Sequence, residues 1–171
     1  EGVVAVSEDV TTDLLFEAYS YGIFPWPHNE KDPVLWFCPD KRAILEFDKL
    51  HIAASLAKAQ RRVSWQFSVD KCFGDVMNRC AQAKRPDQTG TWIIERMKRA
   101  YLQFHQQGYA HSVECWDGTE LIGGLYGVYV GGVFSAESMF YLRPNASKLC
   151  ILNLVGHLQK MGMNWLDIQM L

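Results

Sequence analysis

Three runs decide the fold: Ala110-His-Ser-Val-Glu-Cys-Trp116, Glu120-Leu-Ile-Gly-Gly-Leu-Tyr-Gly-Val-Tyr-Val130 and Val133-Phe-Ser-Ala-Glu-Ser-Met-Phe-Tyr141. Each is long enough for a strand, and Asp117-Gly118 and Gly131-Gly132 separate them. Two-residue connections of that chemistry close hairpins, so the spacing predicts an antiparallel meander. Pro144 and Asn145 then open a helix that runs to about Met161, Gly162 closes it, and Trp165–Met170 is a last strand.

Working back from the meander, Ile93, Met97, Ala100, Tyr101 and Phe104 recur at three- and four-residue steps, and Gly108 stops that helix. Lys84-Arg-Pro-Asp-Gln-Thr-Gly90 is a polar, Pro/Gly-punctuated loop. Before it come a helix from Asp70 to about Ala83, a strand at Ser64–Ser68 and a helix over His51–Arg62. Val34–Phe37 and Ala43–Phe47 are strand-like and bracket a turn at Pro39-Asp-Lys-Arg42. Gly22-Ile-Phe-Pro-Trp26-Pro-His is a rigid aromatic loop, because its prolines exclude helix and central strand. Thr11–Tyr21 is a short helix capped by Thr12 or Asp13. The expected organisation is a small α/β lobe over residues 1–60 and a larger domain over 61–171 ordered β-α-α-β-β-β-α-β. This is an α+β pattern, and the N-acetyltransferase-like (GNAT-like) fold has that order of elements, with helices on both faces of a mixed sheet.

Composition bounds the function. Of 171 residues, 49% are hydrophobic and 21% charged, enough apolar surface for a sizeable core. A net charge of −2 excludes a generally basic coat, though not a local basic patch. The five cysteines form no CxxC, and an odd count cannot pair completely within one chain, so reduced thiols in the cytoplasm are expected. Neither a signal peptide nor a membrane span is expected.

Several chemistries find no support in the spacing. The histidines at 28, 51, 105, 111 and 157 form no HxxxH or HExxH pair, so no metal is expected. Gly123-Gly124-Leu-Tyr-Gly127 lies within a strand and is not GxGxxG; its glycines suit close approach of another backbone or a ligand. Acyl-CoA-dependent members of the acetyltransferase-like fold carry a QxxGxG/A-type pyrophosphate turn. Arg143-Pro-Asn-Ala-Ser-Lys148 stands in its place, which argues against coenzyme A. Ser135 or Ser138 with His111 lacks a GxSxG elbow.

What remains is an apolar slot with isolated polar groups: Glu137, Lys148, Asp167 and Gln169. Glu137 and Asp167 sit among apolar neighbours, either exposed on alternate strand positions or buried and functional. Buried near each other, they would attract a primary ammonium. Lys58, Arg61 and Arg62 share a helix face that is either solvated or set against phosphates.

Eight ordered motifs then carry a resemblance. They are Ala18-Tyr-Ser-Tyr-Gly-Ile-Phe-Pro-Trp26, Pro39-Asp-Lys-Arg42, Gly90-Thr-Trp-Ile93, Ala110-His-Ser-Val-Glu114, Gly123-Gly-Leu-Tyr-Gly127, Glu137-Ser-Met-Phe140, Asn145-Ala-Ser-Lys148 and Asp167-Ile-Gln169. Together the chain resembles the leucyl/phenylalanyl-tRNA–protein transferase family. The resemblance implies transfer of Leu or Phe from aminoacyl-tRNA to a protein's N-terminal Arg or Lys, marking that protein for degradation. It implies no metal or organic cofactor; the cytoplasm is the location expected from the cysteines, and the sequence does not report the oligomeric state, a monomer being favoured.

It also implies roles. Asp167 and Gln169 would lie at the acceptor amine, and Glu137 would bind the donor's amino group. Tyr19, Trp26, Trp92 and Tyr101 would surround the terminal adenosine. Leu125, Phe134, Met139, Ile151, Leu154 and Leu166 would line the donor side-chain pocket, and Lys58, Arg61 and Arg62 would meet tRNA phosphates. The sequence departs from the family pattern at Ser7-Glu8, Phe37-Cys38, Ala54, Ala136 and Tyr141. The family pattern also continues several tens of residues beyond Gln169. The intact Asp167 and Gln169 favour an enzyme; a non-catalytic paralogue holding tRNA ends or basic N-termini is the alternative, and a small-molecule acyltransferase a weaker one.

Overall fold

The computed structural model describes residues 2–83 and 90–170; the polar loop expected at 84–90 therefore lies outside the described residues apart from Gly90. The meander forms as its turns dictate. Strands β6 (Ala110–Asp117), β7 (Glu120–Val130) and β8 (Val133–Tyr141) pair antiparallel in succession. Gly131 and Gly132 both have positive φ, 61° and 81°, the backbone that a tight hairpin requires and that L side chains resist.

Helix α5 (Ala146–Lys160) follows β8 and returns the chain to β9 (Trp165–Gln169), which pairs parallel with β8. A parallel neighbour needs such a crossover, and a helix supplies it. On the other side of β9 lies β4 (Ala43–Glu46), antiparallel, and β5 (Gln66–Val69) closes the far edge beside β6. The six-stranded mixed sheet thus has the order β4-β9-β8-β7-β6-β5. Its edge strand β4 comes from within residues 1–60, so the segment expected to form the small lobe contributes to the main sheet.

A second sheet of order β1-β3-β2 comprises β1 (Val3–Ser7), β2 (Phe24–Pro25) and β3 (Val34–Phe37). Strand β1 was not expected: Val3, Val4 and Val6 are all exposed, so it lacks the half-buried alternation that marks a strand. Phe24-Pro25 pairs within the aromatic loop, on the margin of the sheet where a missing N–H is tolerated. The strands bracketing Pro39-Asp-Lys-Arg42 do not pair with each other; β3 and β4 belong to different sheets, and the turn carries the chain between them.

Side chains of β7 build two cores, alternating from Gly123 onward after a bulge that leaves Ile122 without a partner on β6. Tyr126 and Val128 face α1 (Thr12–Ser20), α3 (Phe73–Gln82) and α4 (Glu95–Gln106), with Leu15, Val76 and Met97. Ile122 and Leu125 face α5, with Cys150, Leu154 and Leu158. Helices on both faces follow from that alternation. Helix α2 (Ala54–Arg62) buries no residue, and α1 is capped by Thr11, whose hydroxyl accepts from the Leu14 amide at 3.2 Å. Helices α2 and α3 begin at Ala54 and Phe73, each a few residues later than expected.

The β7 glycines permit close packing, as the sequence suggests. A Cβ on Gly123 would stand 2.6 Å from that of Ala146, at the start of α5. One on Gly127 would stand 2.5 Å from the Phe134 ring and also meet the Ser135 carbonyl. Backbone cannot yield as a flexible side-chain end can, so Gly127→Ala is expected to destabilise by about 1–3 kcal/mol through overpacking. Urea unfolding measures it; an unchanged midpoint and slope would mean that β8 shifts without cost.

Candidate active site

Beside β8 and β9 the main sheet opens into a cleft of about 440 Å³. Leu45, Leu125, Met139, Ile151, Leu154 and Leu166 form apolar walls, and Phe24, Pro25, Trp26 and Trp92 complete the lining. Glu137, Ser138 and Gln169 supply polar groups.

Glu137 reaches the cleft because β8 is bulged there. Tyr126 pairs with Ser138 and Gly127 with Ala136, so Glu137 is the extra residue without a partner on β7. A bulge re-aims its side chain and interrupts pairing, and here Ala136, Glu137 and Ser138 all reach the cleft. Strand β9 shows the same irregularity: Ala43 pairs with Gln169 and Ile44 with Asp167, leaving Ile168 unpaired. Gln169 then adopts a left-handed backbone, φ 64°, which costs a residue with a Cβ about 1–2 kcal/mol.

Glu137 is held from three sides. The Tyr19 hydroxyl donates to its Oε1 at 2.5 Å, the Gln169 side-chain amide donates to the same oxygen at 2.8 Å, and the Tyr101 hydroxyl lies 3.5 Å from Oε2. The two tyrosine oxygens are 2.5 Å apart. With the Tyr19 proton directed at the carboxylate, Tyr101 donates to Tyr19. Burial pushes the Glu137 carboxyl up to about 7; the Tyr19 hydrogen bond opposes this, and the nearby Asp167 charge adds to it. Burial, with the Glu137 charge second, lifts both tyrosine hydroxyls well above their usual value, so they remain donors.

Asp167 is 4% exposed and does not line the cleft. Its Oδ1 accepts from Arg42 Nε at 2.8 Å and from the Gln169 backbone amide at 2.8 Å. Its Oδ2 accepts from Arg42 Nη2 at 2.5 Å and from the Ser135 hydroxyl at 3.0 Å. Four donors on two oxygens satisfy a buried carboxylate. Arg42 lies in the turn between the sheets, and it had no role in the sequence expectations beyond its motif.

The structure brings Trp26, Trp92, Leu125, Met139, Ile151, Leu154 and Leu166 to one cleft with Glu137 and Gln169. Phe134 is buried against Gly127 and is not part of the lining. Tyr19 and Tyr101 are buried and meet Glu137 through their hydroxyls. Lys58, Arg61 and Arg62 are exposed on α2, and Lys148 is exposed on α5. His111 bonds Asp70 at 2.8 Å while Ser135 bonds Asp167, so the two belong to separate networks. Glu114 is fully buried and accepts from Ser68 and Ser112, each at 2.6 Å, and from the Cys72 amide at the start of α3. Among the described residues no group of three His, Cys, Asp or Glu gathers as metal ligands, and no helix is long and apolar enough to cross a membrane.

A mixed α+β domain whose sheet opens into an apolar cleft, with a carboxylate and an amide inside it, is a small-ligand domain suited to an apolar body with an amino group. A family model described as leucyl/phenylalanyl-tRNA protein transferase matches residues 44–171, and one for that transferase's N-terminal domain matches residues 8–40. The chain is 46% identical over 169 residues to the leucyl/phenylalanyl-tRNA–protein transferase of Anaeromyxobacter sp. (strain Fw109-5), covering 99% of this chain and 72% of that protein. The transferase of the same description from Myxococcus xanthus is 47% identical over 168 residues, covering 98% and 71%. That from Shewanella sp. (strain W3-18-1) is 45% identical over 170 residues, covering 99% and 71%. The chain belongs to the leucyl/phenylalanyl-tRNA–protein transferase family, a family of aminoacyltransferases. In fold it is similar to L-PGS from Bacillus licheniformis, with TM-score 0.52 and 14% identity, covering 86% of this chain and 48% of that one.

Proposed function

We propose that the protein transfers Leu or Phe from the 3′ ester of an aminoacyl-tRNA to the α-amine of an N-terminal Arg or Lys of a protein, tagging it for degradation. Family membership gives the reaction class. The observation that carries the site assignment is the apolar cleft with the bulged Glu137 and the left-handed Gln169 side by side in it.

The reaction is ester aminolysis. The acceptor nitrogen attacks the ester carbonyl carbon, the carbon–oxygen bond to the ribose breaks, and the tRNA leaves with a 3′ hydroxyl. The nitrogen loses one proton as the amide forms. An α-amine has a pKa of about 8, so a useful neutral fraction exists near pH 7 and orientation carries much of the task. In this reading the apolar walls take the Leu or Phe side chain, with Ala136 and Met139 at its border. Glu137, when ionised, holds the donor's ammonium by a charge-assisted hydrogen bond. The Gln169 amide nitrogen is engaged by Glu137, which leaves its oxygen to accept from the incoming amine. Asp167 acts through Gln169 rather than by direct contact, since its oxygens are occupied. Trp26 and Trp92 offer stacking surface for the terminal adenine, worth about 1–3 kcal/mol per base. Tyr19 acts beneath as the donor to Glu137, and Tyr101 donates in turn to Tyr19.

The element order and the parallel β8–β9 pair support an N-acetyltransferase-like main domain. An odd number of cysteines with no CxxC supports a reducing, cytoplasmic setting. For the basic face of α2, replacing Lys58, Arg61 and Arg62 by Gln is expected to lower the slope of log affinity for tRNA against log salt by about 2, near 0.7–0.9 per phosphate contact. A salt titration of tRNA binding measures this, and an unchanged slope rejects the contact.

The deciding experiment supplies labelled Leu-tRNA or Phe-tRNA and a peptide beginning with Arg. Label should pass to that peptide and not to its acetylated copy. No transfer from either donor by the folded protein would overturn the assignment and leave a binding role.

A further inference from the structure

Resting on that transfer reaction, we infer that Arg42 is a positioning residue that fixes Gln169 and joins the small lobe to the catalytic edge of the main sheet. The turn holding Arg42 carries the chain from β3 to β4, between the two sheets. Its guanidinium makes three directed bonds. Nε and Nη2 grip both oxygens of Asp167, and Nη1 donates to the Gly22 carbonyl at 2.9 Å. Its flat face lies 4.9 Å from the centre of the Phe24 ring, and Phe24 is part of the cleft wall. A lysine can supply charge at this point but neither the fork nor the stacking face.

Each bond fixes something in the cleft. Gly22 follows α1, whose Tyr19 hydroxyl holds Glu137. Asp167, oriented by the fork, accepts the Gln169 backbone amide, which favours the left-handed conformation that turns the Gln169 side chain toward Glu137. Arg42 therefore sets the distance between the parts of the cleft contributed by the small lobe and those contributed by β8 and β9, without lining the cleft itself. A cleft whose Phe24–Trp26 wall comes from one lobe and whose Glu137 and Gln169 come from the main sheet is sensitive to such a tie, because a misplacement of about 1 Å costs roughly a hundredfold in rate.

The test compares wild type, Arg42→Lys and Arg42→Ala in single-turnover transfer from Leu-tRNA to an Arg-initiated peptide, with tRNA affinity measured in parallel. Arg42→Ala should slow transfer about 30-fold and change tRNA affinity by less than about twofold. Arg42→Lys should remain at least about fivefold slow. Millimolar guanidine hydrochloride should restore part of the Arg42→Ala rate and leave wild type unaffected. Wild-type rates in both variants, or losses that guanidinium does not reverse and that follow tRNA affinity, would overturn the inference while leaving the reaction standing. Should Arg42→Ala fail to fold, Arg42→Lys decides: a wild-type rate rejects the role. Wild-type protein that transfers nothing overturns the reaction and this inference with it.

Discussion

Asp167→Asn is expected to lose about 3 kcal/mol of stability and about two orders of magnitude in transfer rate. The argument is geometric. Each oxygen of Asp167 receives one arm of Arg42 and one further donor, the Gln169 amide or the Ser135 hydroxyl. An asparagine can keep an oxygen on one side only, and its NH₂ group then faces two donors. The guanidinium, whose side chain is 24% exposed, loses its counter-charge while still largely enclosed. Removing one partner of such a pair typically costs about 3–5 kcal/mol, and the residual exposure of Arg42 argues for the lower end. Where the asparagine NH₂ replaces Oδ1, the hydrogen bond from the Gln169 backbone N–H is lost; this releases the left-handed backbone, and the side-chain amide no longer stays on Glu137.

A second substitution separates stability from chemistry. In Asp167→Asn combined with Arg42→Met no charge is left unpaired, so unfolding in urea should recover most of the loss, while transfer should stay slow. Recovery of both would make the pair purely architectural. An Asp167→Asn protein as stable as wild type would show that the carboxylate charge is not needed to hold the turn against β9.

The parts of this molecule that were legible in its sequence are those fixed by local physics. Helix α4 announces itself through Met97, Ala100, Tyr101 and Phe104 on one face, all buried. The meander follows from its two-residue turns, and α5 and β9 from the Asn145 and Gly162 punctuation. What the sequence hides is long-range. Strand β4 reads as part of the small lobe because its partner, β9, lies about 120 positions further on, and no local pattern encodes that pairing. Both bulges are equally hidden. A strict alternation along Val133–Tyr141 would put Ser135 and Glu137 on one face, whereas the unpaired Glu137 breaks the alternation. Phe134 and Leu125 look alike as apolar strand residues. Only the close approach of Gly127 to the Phe134 ring draws Phe134 into the core. Arg42 had a signal, its place beside Pro39 and Asp40 in a motif, but a turn rich in polar residues reads as solvated until Asp167 is brought against it.

Glu137→Gln is expected to move stability and activity in opposite directions. The Glu137 carboxyl titrates near 7 in the folded protein against an ordinary value of 4.5. A raised carboxyl stabilises the fold fully below pH 4.5, where both states are protonated. That contribution fades as pH rises, because the unfolded chain ionises first, and it is gone above about 7. Discounted for its partial exposure, the loss across this window is on the order of 2 kcal/mol. Glutamine does not titrate and can still accept from Tyr19. The stability of the variant relative to wild type should therefore climb by about that amount between pH 4.5 and 7.5, other groups cancelling in the difference. Transfer should behave otherwise. An ionised Glu137 holds the donor's ammonium, and replacing it with a neutral amide should cost about a hundredfold in kcat/KM at pH 7.5. The same change should remove the limb of the pH profile that rises through about 7, leaving only the acceptor amine's limb near 8. Paired unfolding and pH–rate profiles read both effects. A variant that keeps the wild-type profile would place the donor amine elsewhere in the cleft. A stability difference flat across the window would mean that Glu137 keeps an ordinary carboxyl, well solvated beside Gln169.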